Sequence, residues 1–421
     1  MKNKVLLILL TVALAVSLAA FAACGKKEAP PVGETWQWPE RLLFPVSSTT
    51  SSLYGALVAW TTPLSKDTGV TVRVISESQF TLQQIWAQTG QVFTVAPYQY
   101  RTILYGQTGY ASRDSGPWQS RIWYPGGIVY NDCMVRGDSG IKTPYDIKPE
   151  SKVGLITTIE EPQQMAYGVL AWGQVDPKNV TFVPTSSAAA MCRMLMDGKV
   201  DIICLSNTHS ALYEIEASPH GLGFVSLDAE KDPQGAERFL YWYPWSSWGT
   251  ATGGVPSSEG VPMTVAMSAY VTRAQTDAEL VYRIIKWLDE NRDVYKDAHP
   301  WCEAMTLDNL VALAQEHYEP IHDGAVRYLK EKGLWTDALE ARNEYNTELL
   351  TKWVDAYQAA INMADDQGII VKSDNADWQK LWENYRDSLN LPLLTYFQGP
   401  GIEQPNYKDF YTRWNEARPK W

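Results

Sequence analysis

The stretch "RLLFPVSSTTSSLYGALVAWTTPLSKDTGVTVRVIS", residues 41–76, contains two short apolar runs joined by a segment with helical spacing. "RLLFPVS" indicates a strand, and "VTVRVIS" alternates with the period of two that is typical of strands. The helical segment between them ends near Gly69, a residue type that commonly follows a helix. Because strand, helix and strand in this order build a mostly parallel sheet with helices on its faces, the stretch predicts an α/β fold.

The same alternation continues along the chain, with a second block that starts near residue 136. Apolar runs of strand length are separated by segments with apolar residues at helical spacing. From Asp277 onward the pattern is helical, and no repeat of solenoid period occurs. Strands are predicted at residues 92–97, 152–158, 179–184, 199–206, 221–228 and 261–274, with helices at 80–90, 162–175 and 186–198.

The chain begins with the pattern of an export signal. Two lysines precede the apolar stretch Val5–Ala22, which ends at "AACG", residues 22–25. This ending resembles a bacterial lipobox, so Cys24 is expected to become a lipid-modified N-terminus after a signal peptide at 1–23, followed by a tether at 24–39. An uncleaved membrane anchor is the alternative, because the apolar stretch is near spanning length. We therefore predict an extracytoplasmic protein, lipid-anchored at the outer face of the bacterial cell membrane.

The composition narrows the classes of partner. The formal net charge of the 421 residues is −12, and it becomes −14 once the two leader lysines are removed. An acidic surface argues against nucleic-acid binding. The length that remains after the leader, about 400 residues, suggests two or more domains.

Four cysteines remain beyond Cys24, at positions 133, 192, 204 and 302. Four could form two disulfides in an oxidising compartment. Cys192 lies in a helical pattern and Cys204 in an apolar strand pattern, where free cysteine behaves as a small buried hydrophobe. We therefore expect free cysteines. The sequence contains no C-x-x-C and no histidine pair at zinc spacing, so we expect neither a metal site nor a cofactor.

Four segments, in order along the chain, resemble the solute-binding subunits of tripartite ATP-independent periplasmic (TRAP) transporters, specifically the TAXI branch. The resemblance covers about residues 40–335. Its most specific parts are Asp138–Ile141, "HDGA" at 322–325 and "RYLKEKGL" at 327–334. The four segments are "MVRGDSGIKTPYDIKPESKVGL" (134–155), "MLMDGKVDIICL" (194–205), "VPMTVAMSAYVTRAQTDAELVYRIIKWL" (261–288) and "HPWCEAMTLDNLVALAQEHYEPIHDGAVRYLKEKGLW" (299–335).

This resemblance implies a two-lobed, hinged fold of the periplasmic-binding-protein type that closes on a small solute. The solute class it implies is an organic acid or an amino acid, and the partner is a membrane permease driven by an ion gradient. We expect lobe one at 40–135 plus 251–335 and lobe two at 136–250. The residues beyond the resemblance, 336–421, are expected to form a helical, Trp-rich extension.

Candidate ligand contacts lie where predicted strands end. In an open α/β sheet, ligands bind beyond the carboxyl ends of strands, where the next helix offers unpaired N–H groups and a positive dipole end. The first such place carries six hydroxyl residues, where the resembling family usually has glycines. One hydroxyl suffices to cap a helix, so the run is either a generous cap in a solvated loop or a set of side chains directed at ligand. The candidates here are Ser47, Ser48, Thr49, Thr50, Ser51, Ser52 and Tyr54.

The remaining candidates follow other strands or lie in an aromatic loop. Asn207 can donate and accept, which suits a group that orients a carboxylate, amide or hydroxyl. Glu77 and Glu160 stand at helix starts, where a carboxylate either stabilises the helix or faces inward and favours an amine-bearing ligand. The tryptophans of the loop 241–248 either stack on the ligand or pack against the protein. These candidates are Ser76, Glu77, Ser78, Gln79, Tyr98, Gln99, Thr157, Thr158, Glu160, Gln163, Ser206, Asn207, Thr208, Trp245 and Trp248.

Two other functions compete with solute transport. An enzyme is disfavoured because no G-x-S-x-G, H-E-x-x-H or P-loop motif occurs. Glu160 and Glu161 are adjacent, so their side chains diverge and cannot flank one bond as the carboxylates of a glycosidase do. A solute sensor of the same fold, which would signal to a membrane receptor, is the second alternative.

Overall fold

The computed structural model describes residues 36–77, 79–90, 92–96, 103–157, 159–243, 247–392, 394, 413–414 and 416–419. The chain divides into two units, Met1–Pro39 and Glu40–Trp421, and the fold concerns the second. The predicted signal peptide, the predicted lipid site Cys24 and most of the predicted tether lie outside the described residues. The same holds for the candidate contacts Ser78, Tyr98, Gln99, Thr158 and Trp245.

The strands form two sheets. The first strand of the opening stretch pairs in parallel with the second, as a separate two-stranded sheet. The larger sheet has eight strands in the order β3-β10-β4-β7-β5-β6, with β8 on β4 and β9 on β10. The strands are β1 (Arg41–Val46), β2 (Thr71–Ser76), β3 (Thr94–Ala96), β4 (Ser120–Arg136), β5 (Lys152–Ile156), β6 (Thr181–Thr185), β7 (Ile202–Ser206), β8 (Leu222–Phe224), β9 (Ser247–Thr250) and β10 (Pro262–Arg273).

The helices alternate with strands in the first part of the chain and follow one another in the last part. They are α1 (Ser52–Thr68), α2 (Phe80–Gln88), α3 (Glu160–Trp172), α4 (Ala188–Met196), α5 (Leu212–Glu216), α6 (Pro233–Leu240), α7 (Ala278–Glu290), α8 (Arg292–Tyr295), α9 (Pro300–Glu303), α10 (Leu307–Glu316), α11 (Asp323–Glu331), α12 (Asp337–Asp366) and α13 (Ala376–Ser388).

Two long strands, β4 and β10, run through both halves of the large sheet. At one end of the pair, Tyr270–Arg273 bond to the start of β4, and the same end of β10 bonds to β3. At the other end, Asn131–Met134 of β4 bond to β7, which leads into the parallel strands β5 and β6. The α/β class and the two-lobed architecture are therefore as predicted. The sheet is mixed and not mostly parallel, because both long strands run antiparallel to their neighbours.

The sequence patterns did not predict β4, although it is the longest strand. Its middle reads Pro125-Gly126-Gly127, which is typical of a turn. The chain continues through these residues as a bulge: Ser268 pairs with Gly127 and Ala269 pairs with Pro125, so Gly126 has no partner. Gly127 has φ of 134°, and a Cβ at this position would collide with Trp301. The glycines therefore allow the strand to bend and Trp301 to approach its backbone.

The expectation of free cysteines is wrong for Cys133 and Cys204. These two residues form a disulfide and face each other across the antiparallel pair β4–β7. The strand predicted around Cys204 is confirmed as β7, but the bonded Cys133 lies on β4, which the sequence did not predict. Cys192 and Cys302 are free and buried, as expected.

The family-like motifs near the end of the resemblance build helix contacts. His322 caps α11, because its Nδ1 accepts a hydrogen bond from the N–H of Gly324 at 3.1 Å. A Cβ on Gly324 would collide with the carbonyl oxygen of Ala278, so glycine permits α11 to pack closely on α7. The "HDGA" segment therefore fixes the packing of the returning helices.

The C-terminal extension is helical, as predicted, and packs on the segment before β4. Three aromatic side chains of α12 and α13 donate to backbone carbonyls there: Tyr357 to Ser112 at 2.9 Å, Trp378 to Ala111 at 2.8 Å, and Trp382 to Tyr105 at 2.9 Å. Buried Trp and Tyr are stable when their polar atoms find such partners. The aromatic residues of the extension therefore attach it to the body.

An aromatic cluster fills the core between the opening unit and the long strands. Phe44 of β1, Trp60 of α1 and Tyr270 of β10 contact one another edge to face, and Phe93 and Trp123 complete the cluster. The indole of Trp60 is fully buried and donates to the hydroxyl of Tyr270 at 3.1 Å. This cluster attaches the opening strand–helix unit to β10.

We expect Trp60→Ala to lower the free energy of unfolding by about 3–5 kcal/mol, since it removes a large buried side chain and leaves a cavity. Trp60→Phe, which keeps most of the volume, should cost less. Tyr213→Ala is the control, because Tyr213 is 47% exposed. Urea unfolding of the three variants measures the difference. Equal stabilities for Trp60→Ala and Tyr213→Ala would contradict this account of the core.

The disulfide gives a second expectation. Alkylation of the unfolded, unreduced protein should label Cys192 and Cys302 and leave Cys133 and Cys204 joined in one linked peptide. Replacing both bonded cysteines by alanine should lower stability by about 2–4 kcal/mol, the usual contribution of a native disulfide. Cys192→Ala is the matched control for loss of a buried sulfur. Labelling of all four cysteines without a reductant would contradict the pairing.

Candidate functional site

A cavity of about 230 Å³ lies where segments from both halves of the fold meet. The loop after β1 and the start of α1 form one side, and the ends of β5, β6 and β7 with the helices that follow form the other. This is the position at which α/β proteins bind ligands. The described lining residues are Ser47, Ser48, Ser51, Ser52, Leu53, Gln83, Val129, Asn131, Ile156, Ile159, Glu161, Pro162, Met165, Ser186, Ser187, Ala188, Cys204, Leu205, Ser206, His209, Ser268 and Trp301.

Three helices begin at this cavity. Ser51 caps α1 and accepts from the N–H of Tyr54 at 3.3 Å, and Ser187 caps α4 and accepts from the N–H of Ala190 at 3.2 Å. The third helix, α3, begins at Glu160. A helix start has N–H groups without intrahelical partners and a partial positive charge. The cavity wall therefore offers donors from the backbone as well as from hydroxyls.

Four members of the six-hydroxyl run line the cavity, namely Ser47, Ser48, Ser51 and Ser52. Ser51 also acts as the helix cap, so the same residue ends the strand loop and faces the cavity. Thr49 is exposed, and neither it nor Thr50 is part of the lining. The hydroxyl run therefore caps helix α1 and also lines the cavity.

The hydroxyl run also contacts the loop after β7 on the other side of the cavity. The hydroxyl of Thr208 donates to Ser52 Oγ at 2.6 Å, and the hydroxyl of Ser210 donates to the carbonyl of Thr50 at 2.9 Å. Ser206, which lines the cavity, shares a hydrogen bond of 3.0 Å with Thr208. These contacts join the two sides of the cavity through polar groups alone.

Two predicted contacts support loops and do not face the cavity. Gln163 is buried and donates to the carbonyls of Ile156 at 2.7 Å and Ile159 at 3.1 Å. Asn207 is fully buried and donates to the carbonyl of Gly253 at 2.8 Å and to Ser258 Oγ at 3.1 Å. Their amides satisfy backbone carbonyls of the turns that surround the site.

The other predicted residues of the described ranges have local partners. Glu77 accepts from the N–H of Gln79 at 2.7 Å, and Trp248 packs against Trp172 and Phe239 at ring distances of 5.4 and 5.2 Å. Ser206 is the one predicted residue outside the hydroxyl run that lines the cavity among those the structure describes. The predicted residues that do not line it are Thr49, Thr50, Tyr54, Ser76, Glu77, Gln79, Thr157, Glu160, Gln163, Asn207, Thr208 and Trp248.

Glu160 points away from the cavity and binds the end of the chain. Arg418 Nη1 lies 2.8 Å from Glu160 Oε1, and the hydroxyl of Tyr167 donates to the carbonyl of Ala417 at 2.7 Å. The guanidinium of Arg413 lies 3.5 Å from the ring centre of Tyr241. The last described residues therefore attach to α3 and to the segment after α6.

Several lining residues were not among the predicted contacts. Ser186 and Ser187 follow β6 and precede α4, so the rule that nominated the first hydroxyl run would have found them. Asn131 lies on the strand that the sequence did not reveal, and Trp301 reaches the cavity beside the bulge at Gly127. Glu161 appeared in the sequence only as half of an adjacent carboxylate pair, and the lone His209 and Gln83 had no distinguishing pattern.

Glu161 contributes a carboxyl group to the wall. The hydroxyl of Tyr243 donates to its Oε1 at 2.9 Å, and Asn131 Nδ2 lies 3.5 Å from the same oxygen. Burial raises the pKa of Glu161 to about 8, and the hydrogen bond from Tyr243 opposes this rise in part. The side chain is enclosed by protein but partly accessible, because the cavity opens beside it.

The histidine of the wall is neutral at neutral pH. Burial lowers the pKa of His209 to about 4, and its Nδ1 accepts from the N–H of Ala211 at 3.3 Å. Lysine and arginine are absent from the lining described by the structure. Burial also raises the pKa of Glu161 to about 8, so its carboxyl group is largely protonated at neutral pH and ionises as the pH rises through about 8.

Neither a metal site nor a membrane-spanning helix is found in the part of the chain that the structure describes. No three His, Cys, Asp or Glu side chains in these ranges are grouped so that they could hold an ion. Likewise, none of the described helices combines the length and the apolar character that crossing a bilayer requires.

One family model matches part of the chain. Residues 129–333 match the model of the NMT1-like family. The matched segment begins in β4 and ends just after α11, so it contains most of the cavity wall on the β7 side. No curated protein sequence gives a significant match.

The solved structures similar to this chain include several binding proteins. MatC from Rhodopseudomonas palustris, with bound malate, has 13% identity over 70% of this chain and 99% of its own, with a TM-score of 0.46. The periplasmic binding protein BugD has 11% identity over 75% and 98%, with a TM-score of 0.46. The aliphatic sulphonate binding protein SsuA from Escherichia coli has 12% identity over 87% and 94%, with a TM-score of 0.37.

Two buried carboxyls give a testable pH dependence. Burial raises the pKa of both Glu161 and Glu319 to about 8. Because the folded state holds these protons more tightly than the unfolded chain, their stabilising contribution is complete below about pH 4.5 and is lost as pH rises through about 8. The buried histidines, whose pKa is lowered, titrate below about pH 6.5 and do not affect the higher window.

We therefore expect the free energy of unfolding to fall between pH 6.5 and 8, by on the order of 1–2 kcal/mol for each carboxyl. Glu161→Gln and Glu319→Gln should each flatten this slope, since a neutral amide does not titrate. Exposed Glu237, replaced by Gln, is the control. Urea unfolding at four pH values measures the slopes, and an unchanged slope in both variants would disprove the assignment.

Proposed function

We propose that this chain is an extracytoplasmic solute-binding protein that captures a small polar solute in the cavity between its two lobes. The observation that carries the proposal is the placement of the cavity. It lies at the carboxyl ends of β1, β5, β6 and β7, and segments from both halves of the fold enclose it. The long strands β4 and β10 pass between the halves, so they are suited to act as the hinge.

The lobes proposed for this closure follow the sequence pattern. Lobe one comprises residues 40–135 and 251–335, and lobe two comprises 136–250. The hydrogen bonds from Thr208 to Ser52 and from Ser210 to Thr50 would then join the lobes beside the ligand. A ligand that contacts both lobes stabilises the closed arrangement by its differential affinity for it.

The proposed partner is a TRAP-type permease driven by an ion gradient. The support is the resemblance of four ordered segments to TAXI-branch subunits, together with the NMT1-like match over residues 129–333. We propose a lipid anchor on Cys24 that holds the protein near this permease. Genes for multi-helix permease subunits beside this gene would agree with transport, whereas a neighbouring sensor kinase without a permease would favour the sensor function.

The proposed ligand belongs to the class of organic acids or amino acids, or carries an amine. The wall offers hydroxyls from Ser47, Ser48, Ser51 and Ser52 on one side and from Ser186, Ser187 and Ser206 on the other. Gln83 and Asn131 add amide groups. Hydroxyl and amide groups can both donate and accept hydrogen bonds, so they can fix the orientation of a polar ligand.

The test is a thermal-shift screen of organic acids, amino acids and amines, followed by calorimetry of each compound that stabilises the protein. Binding to the folded state stabilises it by mass action, so a specific ligand should raise the melting temperature in proportion to the logarithm of its concentration. Absence of any stabilising solute, together with turnover of a substrate, would refute the proposal in favour of an enzyme.

For a ligand found in this way, Ser48→Ala should weaken binding about three- to tenfold, the usual effect of losing one neutral hydrogen bond. Ser388→Ala is the matched control, because Ser388 is exposed at the end of α13. Calorimetry gives both affinities. If the two variants bind equally well, the hydroxyl run does not contact ligand.

A further inference from the structure

The imidazole of His209 belongs to the loop after β7 and lines the cavity. The residue is only 6% exposed. Its backbone N–H donates to the carbonyl of Ser206 at 3.1 Å, and its carbonyl accepts from the N–H of Leu212 at 3.0 Å. Because the backbone is bonded on both sides of the side chain, the loop holds the start of the imidazole in one place.

The hydrogen bond of one ring nitrogen determines the role of the other. Nδ1 of His209 accepts from the N–H of Ala211 at 3.3 Å, so Nδ1 carries no proton. A neutral imidazole has a single ring proton, which therefore lies on Nε2. Burial keeps the ring neutral, since it lowers the pKa of His209 to about 4. The ring thus presents an N–H donor at Nε2 and offers no second acceptor.

This donor has no protein acceptor within the part of the chain that the structure describes. His322 provides a contrast, because its Nδ1 also caps a turn but its Nε2 is enclosed by protein. Nε2 of His209 is not enclosed in this way, and its ring lines the cavity. Since a buried N–H without an acceptor is unfavourable, an oxygen of a bound solute would stabilise this arrangement.

The other polar side chains that line the cavity can adapt to either kind of ligand group. A serine hydroxyl rotates to donate or accept, and the amide of Gln83 carries both a donor and an acceptor. The protonated carboxyl of Glu161 likewise has both. The indole of Trp301 can only donate, but its nitrogen is enclosed by protein. Among these described side chains, His209 therefore places the strictest demand on the ligand.

The neighbours of His209 make the contacts that cross the cavity. Thr208 donates to Ser52 Oγ at 2.6 Å, and Ser210 donates to the carbonyl of Thr50 at 2.9 Å. Both acceptors belong to the hydroxyl run after β1. His209 thus lies where the two sides of the cavity meet.

We infer that Nε2 of His209 donates a hydrogen bond to a carbonyl or carboxylate oxygen of the solute, and that this donor selects against a solute whose polar end can only donate. This inference rests on the proposed function. A protonated amine at this place would set its N–H groups against the N–H of the ring, with no acceptor between them. Ile156, Met165 and Leu205 line the same cavity, so the solute carries its oxygen acceptor on an apolar body.

The state of the ring can be measured without a ligand. In the whole mature protein with isotope-labelled histidine, two-bond hydrogen–nitrogen NMR correlations report which ring nitrogen carries the proton. His209→Asn assigns the signals, because it removes one of the five histidines. We expect the Nε2–H form at about pH 6. A proton on Nδ1, or protons on both nitrogens, would overturn the inference.

The binding experiment compares three probes with the same apolar body: 4-methylpentanamide, 4-methylpentanoate and isopentylamine. Calorimetry at about pH 6 gives each affinity, under conditions in which the carboxyl of Glu161 is protonated and the carboxylate probe is ionised. We expect the amide and the carboxylate each to bind at least about tenfold more tightly than the amine. The tighter of the first two shows whether the acceptor is neutral or charged.

Two substitutions separate the donor from the turn that holds it. His209→Asn keeps an oxygen that can accept from the N–H of Ala211, but its amide is too short to reach the position of Nε2. The amide and carboxylate probes should then bind about five- to tenfold more weakly, while the affinity for the amine stays within about twofold. His209→Gln places an amide near the position of Nε2 and can turn it either way. Binding of the acceptor probes should largely return, and their advantage over the amine should fall to about threefold or less.

His220→Asn is the matched control, because the side chain of His220 is 43% exposed and does not line the cavity. Its affinities should equal those of the unaltered protein. Urea unfolding of all three variants shows whether a change in affinity reflects a loss of stability.

The outcomes separate this inference from the function on which it rests. Unchanged affinity for both acceptor probes in His209→Asn, or tightest binding of the amine by the unaltered protein, would overturn the inference and leave solute binding intact. If only a compound from a broad solute library binds, equal affinity for that compound in His209→Asn would overturn it. If no solute binds, both the proposed function and the inference fail. Selective loss of acceptor binding in His209→Asn at unchanged stability would support the inference.

Discussion

The pairing of β4 with β10 is the constraint on which the rest of the structure depends. These two strands run through both halves of the sheet, and a bulge at Gly126, one of two register shifts in the pair, bends them near the middle. The bend allows Trp301 to pack against Gly127, where any side chain would collide with it. Beyond the bend, β4 brings Val129 and Asn131 to the cavity, so this irregularity lies close to the candidate site.

The hydroxyl run after β1 is explained by three tasks that occur within six residues. Ser51 caps α1, Ser52 and Thr50 receive hydrogen bonds from the loop after β7, and four of the serines line the cavity. One residue could supply the cap alone. The run lies between two parts of the protein, and Ser52 and Thr50 accept hydrogen bonds from the second part.

The sequence patterns predicted the strands and helices that local apolar periodicity defines. They did not predict features that depend on pairing with a residue far away in the chain. The first strand–helix–strand unit and β10 were predicted because apolar periodicity shows them directly. β4 was not, since Pro125-Gly126-Gly127 is typical of a turn until β10 pairs with both sides of it. The bond of Cys204 was missed for the same reason, because Cys133 lies on that strand. Asn207 and Gln163 were predicted from their positions after a strand and at a helix start, and in the structure their side-chain amides donate to backbone carbonyls of surrounding turns.

The adjacent carboxylates Glu160 and Glu161 have different partners because neighbouring residues of a helix point in different directions. Successive helix residues point about 100° apart, so the two side chains cannot share an environment. Arg418 pairs with Glu160, and Glu161 faces the cavity with its pKa raised by burial. The sequence shows two adjacent glutamates but not how the helix is turned about its axis, so it could not predict which carboxylate faces the cavity. Arg418 places a positive charge beside the outer carboxylate, whereas burial favours the protonated form of the inner one. Two adjacent residues of the same type therefore differ in charge at neutral pH because their surroundings differ.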